Sequence, residues 1–246
     1  MLADRVGWAV RPRRLWYNLR LVNRANKVRQ PARESADPVS ELTTNRLSVY
    51  LRCLNTLEGA GVRSVSSQAL AEQFNLNAAQ IRKDLAHFGE FGVRGVGYYV
   101  KDLRRHLCQI LGLDRRVRVG IMGAGNLGMA LADYAGFSGE GFEIAALFDT
   151  VREKVGKRSR SGIPIYDTRD FKRIARREGI AIAVIAVPAE AAQAVVNLVV
   201  AAGTRAILNF SPGTLTVPPE VKLKSVDLTV SLESLSFFLA QNEGGA

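Results

Sequence analysis

Cysteine and histidine are nearly missing from this chain: two of each occur in 246 residues. Cys53 and Cys108 stand far apart, each in a segment of helical apolar spacing and neither beside a His or a second Cys. That excludes a disulfide framework and a zinc site of the cysteine–histidine kind, fits a reducing cytoplasm, and leaves two core residues. Long apolar runs are missing too. The longest, IAIAVIAV at 180–187, falls well short of the roughly 20 residues of a membrane-spanning helix and reads as a buried strand. No apolar central region follows the N-terminal charges, so a secretory signal is not expected. Acidic residues are in deficit, 23 against 34 Lys and Arg, for a net charge of +11.

The basic excess is uneven. Residues 1–37 hold nine Lys or Arg against three acids, residues 38–112 nine against six, and residues 113–246 sixteen against fourteen. The first two segments thus supply +9 of the +11, which points to a polyanionic partner near the N-terminal half. Residues 1–38 are Arg-rich, weakly periodic and end in QPARESADP, and are expected to be a disordered, solvated tail. An Arg-rich targeting peptide or a non-specific DNA-binding arm is the alternative.

A winged helix-turn-helix domain is expected over 39–112. Leu47, Tyr50, Leu51, Leu54 and Leu57 repeat at helical spacing until Gly59 and Gly61. Ser66 is placed to cap a short helix through about Phe74, and Asn77 with Gln80 resembles a capping box opening a third. FGEFGVRGVGYYV then alternates β-formers with glycines, as a two-stranded hairpin would. Asp102 is expected to cap a linking helix through about Leu111. The third helix turns Ile81, Leu85 and Phe88 to one face and displays Gln80, Arg82, Lys83 and His87 elsewhere. A recognition helix presents groove-reading and phosphate-binding groups in this way, whereas a solvated charged face is the bland alternative. Arg94 on a glycine-flanked tip favours the first reading, since Arg on such a wing suits a narrow minor groove. Ser66, Ser67, Gln80, Arg82, Lys83 and Arg94 are the candidate DNA contacts.

From Arg116 strands alternate with helices, so a doubly wound parallel α/β sheet is expected over 113–229. Strands are placed near 117–122, 143–148, 163–166, 181–187, 205–209 and 223–228, and helices near 126–136, 168–178 and 189–202. GIMGAGNLGMALADY sets Gly123, Gly125 and Gly128 in G-x-G-x-x-G spacing between an apolar strand and a helix, and Asp149 ends the next strand. Together these form the dinucleotide fingerprint: a tight turn, close backbone approach to a pyrophosphate, tight helix–strand packing and an acid for ribose hydroxyls. Candidate cofactor contacts are Gly123, Ala124, Gly125, Asn126, Leu127, Gly128, Asp149, Lys154, Pro188, Ala189 and Leu228. Asp149 favours NAD over NADP, while Arg152 and Lys154 weaken that preference.

A dehydrogenase needs a substrate pocket and a proton-transfer group. Here the sheet consumes the chain from Arg116 to Thr229, and both histidines, His87 and His106, lie upstream of it. No catalytic residue and no metal ligand set is assigned, and the dinucleotide reads as a sensed ligand. An NAD-dependent oxidoreductase with an incidental extra domain is the runner-up, and a nucleotide-binding subunit of CoA-ligase type a third reading.

IRKDLAHFGEFGVRGVGY, GAGNLGMALADYAGF, FDTVREKVG, ILNFSP and VDLTVSLESLSFFLA resemble the Rex family of bacterial redox-sensing transcriptional repressors over roughly residues 40–240. The resemblance implies a homodimer that binds an inverted-repeat DNA operator when NADH is low, released by NADH with NAD⁺ competing. It also implies a C-terminal helix, here about Ser231 to Ala240 within a 230–246 segment, that crosses to the partner subunit; packing on its own domain is the alternative. By resemblance, Arg52, Tyr134 and Asp227 form a state-dependent cluster, in which Asp227 pairs with Arg52 in one state and Tyr134 in the other. Read alone, they are a solvated helix charge, a core aromatic and a strand-end cap. The family's Asp-x-Asp-Pro stands here as Asp149, Thr150, Val151, Arg152, a departure at the adenosine pocket.

Overall fold

A computed structural model describes residues 39–243; the tail expected at 1–38 lies outside them. The N-terminal part is α1 (Glu41–Gly59), β1 (Ser64–Val65), α2 (Ser67–Phe74), α3 (Ala78–Ala86), β2 (Tyr98–Tyr99) and α4 (Val100–Ile110). Its core gathers Leu47, Tyr50, Leu51, Leu54 and Leu57 of α1, Leu70 of α2, Ile81 and Leu85 of α3, and Leu103 and Leu107 of α4. Cys53 is buried in this core, and Cys108 packs half-buried against it.

Ser66 caps α2 as the sequence implied, its Oγ accepting from the Ala69 amide at 3.0 Å. Asn77 caps α3 through the Gln80 amide at 3.0 Å, but the Gln80 side chain does not close the box; it turns to Asp84. Two further expectations need correction. The glycine-rich segment forms one antiparallel bridge, Val93 to Gly97, and Tyr98–Tyr99 pairs instead with Ser64–Val65 ahead of α2. The wing is therefore anchored to the turn before α2. Asp102 does not cap α4, which begins at Val100 after Tyr99; it sits in the first turn and binds Arg105 at 3.1 Å.

The second part is β3 (Val117–Met122), α5 (Asn126–Ala132), α6 (Gly136–Gly139), β4 (Phe142–Asp149), β5 (Ile165–Asp167), a 3₁₀ turn at Thr168–Asp170, α7 (Phe171–Glu178), β6 (Ile182–Ile185), α8 (Ala189–Ala201), β7 (Ala206–Asn209), β8 (Lys222–Ser225) and α9 (Leu228–Glu243). All five strand pairings are parallel, in the order β5-β4-β3-β6-β7-β8. Chain order reverses between β3 and β6, which makes the carboxyl ends of those strands the place for a ligand. On one face Met122, Phe148, Ala183 and Ile185 pack with Phe171 and Ile174 of α7 and Val196 and Val199 of α8. The other face is only partly covered. There Val119, Ile121, Ile144, Ile182, Val184, Leu208 and Phe210 help line a hollow of about 210 Å³, bordered by Leu131 and Phe137 and wholly apolar.

α5 ends at Ala132, so Tyr134 lies outside it, and the last strand stops at Ser225 rather than 228. Asp227 instead accepts the Thr229 amide at 2.8 Å where α9 begins, three residues before Ser231. Leu228, Val230, Leu232, Leu235, Phe237, Phe238 and Leu239 of α9 are all exposed, so this helix buries none of them against its own chain. Three contacts join α1 to the edge strand: Glu41 binds Lys222 at 3.1 Å and Lys224 at 3.3 Å, and Asn45 accepts from Lys224 at 3.2 Å.

Candidate functional site

Three glycines build a cleft at the strand ends, each for a different reason. Gly123 has φ +106, and a β-carbon there would collide with the carbonyl oxygen of Ala186 after β6. A β-carbon on Gly128 would fall on the carbonyl oxygen of Gly123, which locks α5 close against β3. Gly125 differs. It precedes α5 in an extended conformation, φ −81 and ψ −172, and nothing lies within 4 Å of where its β-carbon would stand. Its missing side chain keeps space open rather than relieving a clash, and no side chain caps the first-turn amides of α5 behind it.

The cleft beside this loop holds about 440 Å³ and is lined by Met122, Gly123, Gly125, Phe148, Asp149, Thr150, Val151, Lys154, Thr168, Ala186, Val187, Pro188, Ala191 and Val195. Of the residues singled out in the sequence, Gly123, Gly125, Asp149, Lys154 and Pro188 line it. Ala124 is buried behind the loop, and Asn126, Leu127 and Ala189 are exposed at the starts of α5 and α8. Leu228 stands exposed at the start of α9, away from this lining. Thr168, Val187 and Ala191 were not singled out, and Thr150 and Val151 were named only as the departure from Asp-x-Asp-Pro. All sit just beyond the carboxyl ends of β4, β5 and β6, and that topological rule was the signal for them.

Asp149 is buried, and its carboxylate holds the loop. Oδ2 accepts the Ala124 amide at 2.9 Å and Lys154 Nζ at 3.1 Å, while Oδ1 accepts the Val151 amide at 2.9 Å. Burial alone would push this carboxyl up, but the Val151 and Ala124 amides and Lys154 outweigh it and hold it below the usual carboxylate range. With about four lone-pair directions on a carboxylate, three donors leave roughly one for a ribose hydroxyl. The lining carries no His, Cys or Tyr, and its one Asp and one Lys are paired with each other.

The second surface is on α3 and the wing. Arg82 and Lys83 are exposed on α3, and Arg94 is exposed beside Gly95, whose φ of +79 makes the tip. Arg82 Nη1 donates to Ser67 Oγ at 2.9 Å, tying α3 to the start of α2, and Ser66 is exposed at the cap. Gln80 is half-buried at the edge of this surface. Arg52, Tyr134 and Asp227 are all exposed, and no hydrogen bond joins any two of them in the single chain. Tyr134 packs edge-on against Phe137 at 5.1 Å, and Asp227 serves as the cap of α9. Among the described residues, no group of three or more His, Cys, Asp or Glu is placed to hold a metal, and no helix is long and apolar enough to cross a membrane.

Residues 38–86 match the family model described as "Putative DNA-binding protein N-terminus", and residues 114–213, which carry the glycine loop, match the CoA binding domain. The redox-sensing transcriptional repressor Rex of Syntrophomonas wolfei is 50% identical over 204 residues, covering 83% of this chain and 97% of the relative. The Rex of Pelotomaculum thermopropionicum is 47% identical over 208 residues, covering 85% and 97%. A crystal structure of RSP in complex with β-NAD⁺ and operator DNA superposes with a TM-score of 0.79 at 38% identity, covering 84% of this chain and 94% of that one. RSP in complex with β-NADH gives 0.73 at 36% identity, covering 83% and 96%. The chain belongs to the Rex family of redox-sensing transcriptional repressors.

Proposed function

We propose that this chain represses transcription by holding operator DNA as a homodimer while NADH is scarce, and that NADH filling the cleft releases it. One observation carries the reading. An exposed basic helix and wing, suited to duplex DNA, share a chain with a dinucleotide cleft whose lining offers no uncommitted proton-transfer group. An oxidoreductase would need such a group, so the cleft senses its ligand and the protein is not an enzyme. The glycine loop takes the pyrophosphate, and the Asp149 carboxylate faces the adenosine ribose and disfavours a 2′-phosphate. The reduced nicotinamide ring is uncharged and suits an apolar wall better than its cationic oxidised form, which would lose hydration there.

The dimer follows from two unsatisfied surfaces. α9 exposes seven large apolar side chains, and the sheet leaves an apolar hollow uncovered. Exchange of α9 with the partner subunit would bury both, which two-fold symmetry makes reciprocal. A two-fold dimer reads an inverted repeat, with its recognition helices about 34 Å apart to enter successive major grooves. A near-complete switch asks NADH to favour the released arrangement by about 5.5 kcal/mol. In this scheme residues 39–112 form the DNA-binding domain, 113–229 the cofactor domain and 230–246 the dimerisation segment, in a cytoplasmic protein. Arg52, Tyr134 and Asp227 form the state-dependent cluster between the lobes, and strictly additive losses of DNA affinity in Arg52→Ala, Asp227→Ala and their double variant would rule out the Arg52–Asp227 pair. Fluorescence anisotropy of labelled operator DNA tests the whole: micromolar NADH should release the DNA and equal NAD⁺ should not, and DNA binding indifferent to both would refute the proposal.

A further inference from the structure

Asp84 lies on α3, the helix that displays Arg82 and Lys83, yet its side chain is only 3% exposed. Four donors converge on it. Arg46 of α1 donates through Nε at 2.6 Å and Nη2 at 2.8 Å, the Tyr50 hydroxyl donates at 2.9 Å, and Gln80 Nε2 donates at 2.7 Å. Burial would push this carboxyl up, but the hydrogen bonds from Arg46, Gln80 and Tyr50 keep it below the usual carboxylate range. It is therefore an ionised, acceptor-only group at neutral pH. That settles the orientation of the Gln80 amide: its nitrogen faces Asp84, and its oxygen faces away. Gln80 sits one turn before Asp84, at the border between the helix face on α1 and the exposed face.

We infer that Gln80 reads a base edge in the major groove and that Asp84, fixed by Arg46 and Tyr50, is its positioning residue. The inference rests on the DNA-binding reading above. With one N–H given to Asp84, the amide keeps Oε1 and one further N–H, the acceptor and donor that match N6 and N7 of adenine. Guanine presents two acceptors there and would meet Oε1 with repulsion. Lys83, Arg82 and Arg94 end in exposed charges that suit phosphate, which carries no sequence. Gln80, held in one orientation before DNA arrives, differs from them in having a fixed hydrogen-bond polarity. Arg46 is itself tethered by Thr43 at 3.2 Å, so the clamp spans α1 and α3 as one unit.

The probe is a duplex selected from a random-sequence pool by the full-length protein. Each adenine of its half-site is replaced in turn by 7-deazaadenine, which lacks the N7 acceptor, and by purine, which lacks the N6 amine. At one adenine per half-site both replacements should weaken wild-type binding by roughly tenfold. Gln80→Ala should erase that sensitivity, and Asp84→Asn should cut it to threefold or less, while NADH affinity and the salt dependence of DNA binding stay as in the wild type. Tyr50→Phe, which leaves the oxygen bound to Gln80 untouched, should keep it. A merely structural Asp84 would weaken all probes alike and overturn the inference, as would full sensitivity in Gln80→Ala. Should Asp84→Asn not fold, the wild-type NMR spectrum decides: one Gln80 side-chain amide proton protected and shifted downfield supports the clamp, and two freely exchanging protons overturn it. If the wild type selects no DNA at all, the DNA-binding reading fails and this inference with it.

Discussion

Gly125→Val separates the ligand role of the glycine loop from its structural role. Gly125 has φ −81 and ψ −172, a conformation valine adopts readily, and no atom lies within 4 Å of the added β-carbon. The cost to the fold is limited to losing a tolerable cap residue, about 1 kcal/mol, or about 2–4 °C in Tm for a chain of this size. The cost to the ligand is larger, because the isopropyl group occupies the space through which backbone amides approach the pyrophosphate. Losing two charge-assisted hydrogen bonds at about 1.5 kcal/mol each weakens NADH binding on the order of 100-fold. Gly128→Ala is the contrast: its β-carbon would land on the Gly123 carbonyl oxygen, so the fold itself must give. NADH titration by fluorescence, a thermal melt and operator binding, run on both variants, check this. Gly125→Val should melt near the wild type, hold operator DNA and ignore NADH. An NADH affinity within threefold of the wild type would refute the reasoning.

Lys83→Ala should weaken DNA binding without base preference and lower the slope of log affinity against log salt by about one unit, read by anisotropy at several salt concentrations. Asp149→Asn should melt below the wild type at pH 7, because the folded carboxyl is held below its unfolded value near 3.9 and so contributes stability above that pH. The gap should close as pH falls below about 4, where the wild type also protonates; a gap that persists unchanged at pH 3 would contradict the loop-clamp assignment. Phe238→Glu, on the exposed apolar α9, should leave a monomer in sedimentation equilibrium where the wild type runs as the proposed dimer, and lower operator affinity, with the NADH cleft intact.

The sheet was legible because its central strands β3, β4 and β6 are mostly buried and read as apolar runs such as IAIAVIAV, and because the glycine spacing has one structural meaning between a strand and a helix. What escaped was short or long-range. β1 is two residues long, too short to show any period, so the strand that anchors the wing could not be seen from the hairpin sequence. Thr229 and Val230 are strand-formers, yet they lie in the first turn of α9, where Asp227 caps the Thr229 amide two residues on. Asp84 was not among the residues singled out on the third helix. Its burial depends on Arg46 and Tyr50, 38 and 34 positions away, and nothing local announces them. At the cleft the motif residues were visible, but Thr168 and Ala191 enter through the strand order alone.

The central claim is that one chain couples a DNA surface to a dinucleotide cleft, and such coupling must be reciprocal. The most direct measurement is therefore paired: operator affinity with and without saturating NADH, and NADH affinity with and without saturating operator DNA. NADH should weaken DNA binding, and DNA should weaken NADH binding by the same factor. If NADH binds the DNA complex and the DNA-free protein equally well, the cleft does not control the DNA surface and the account is wrong.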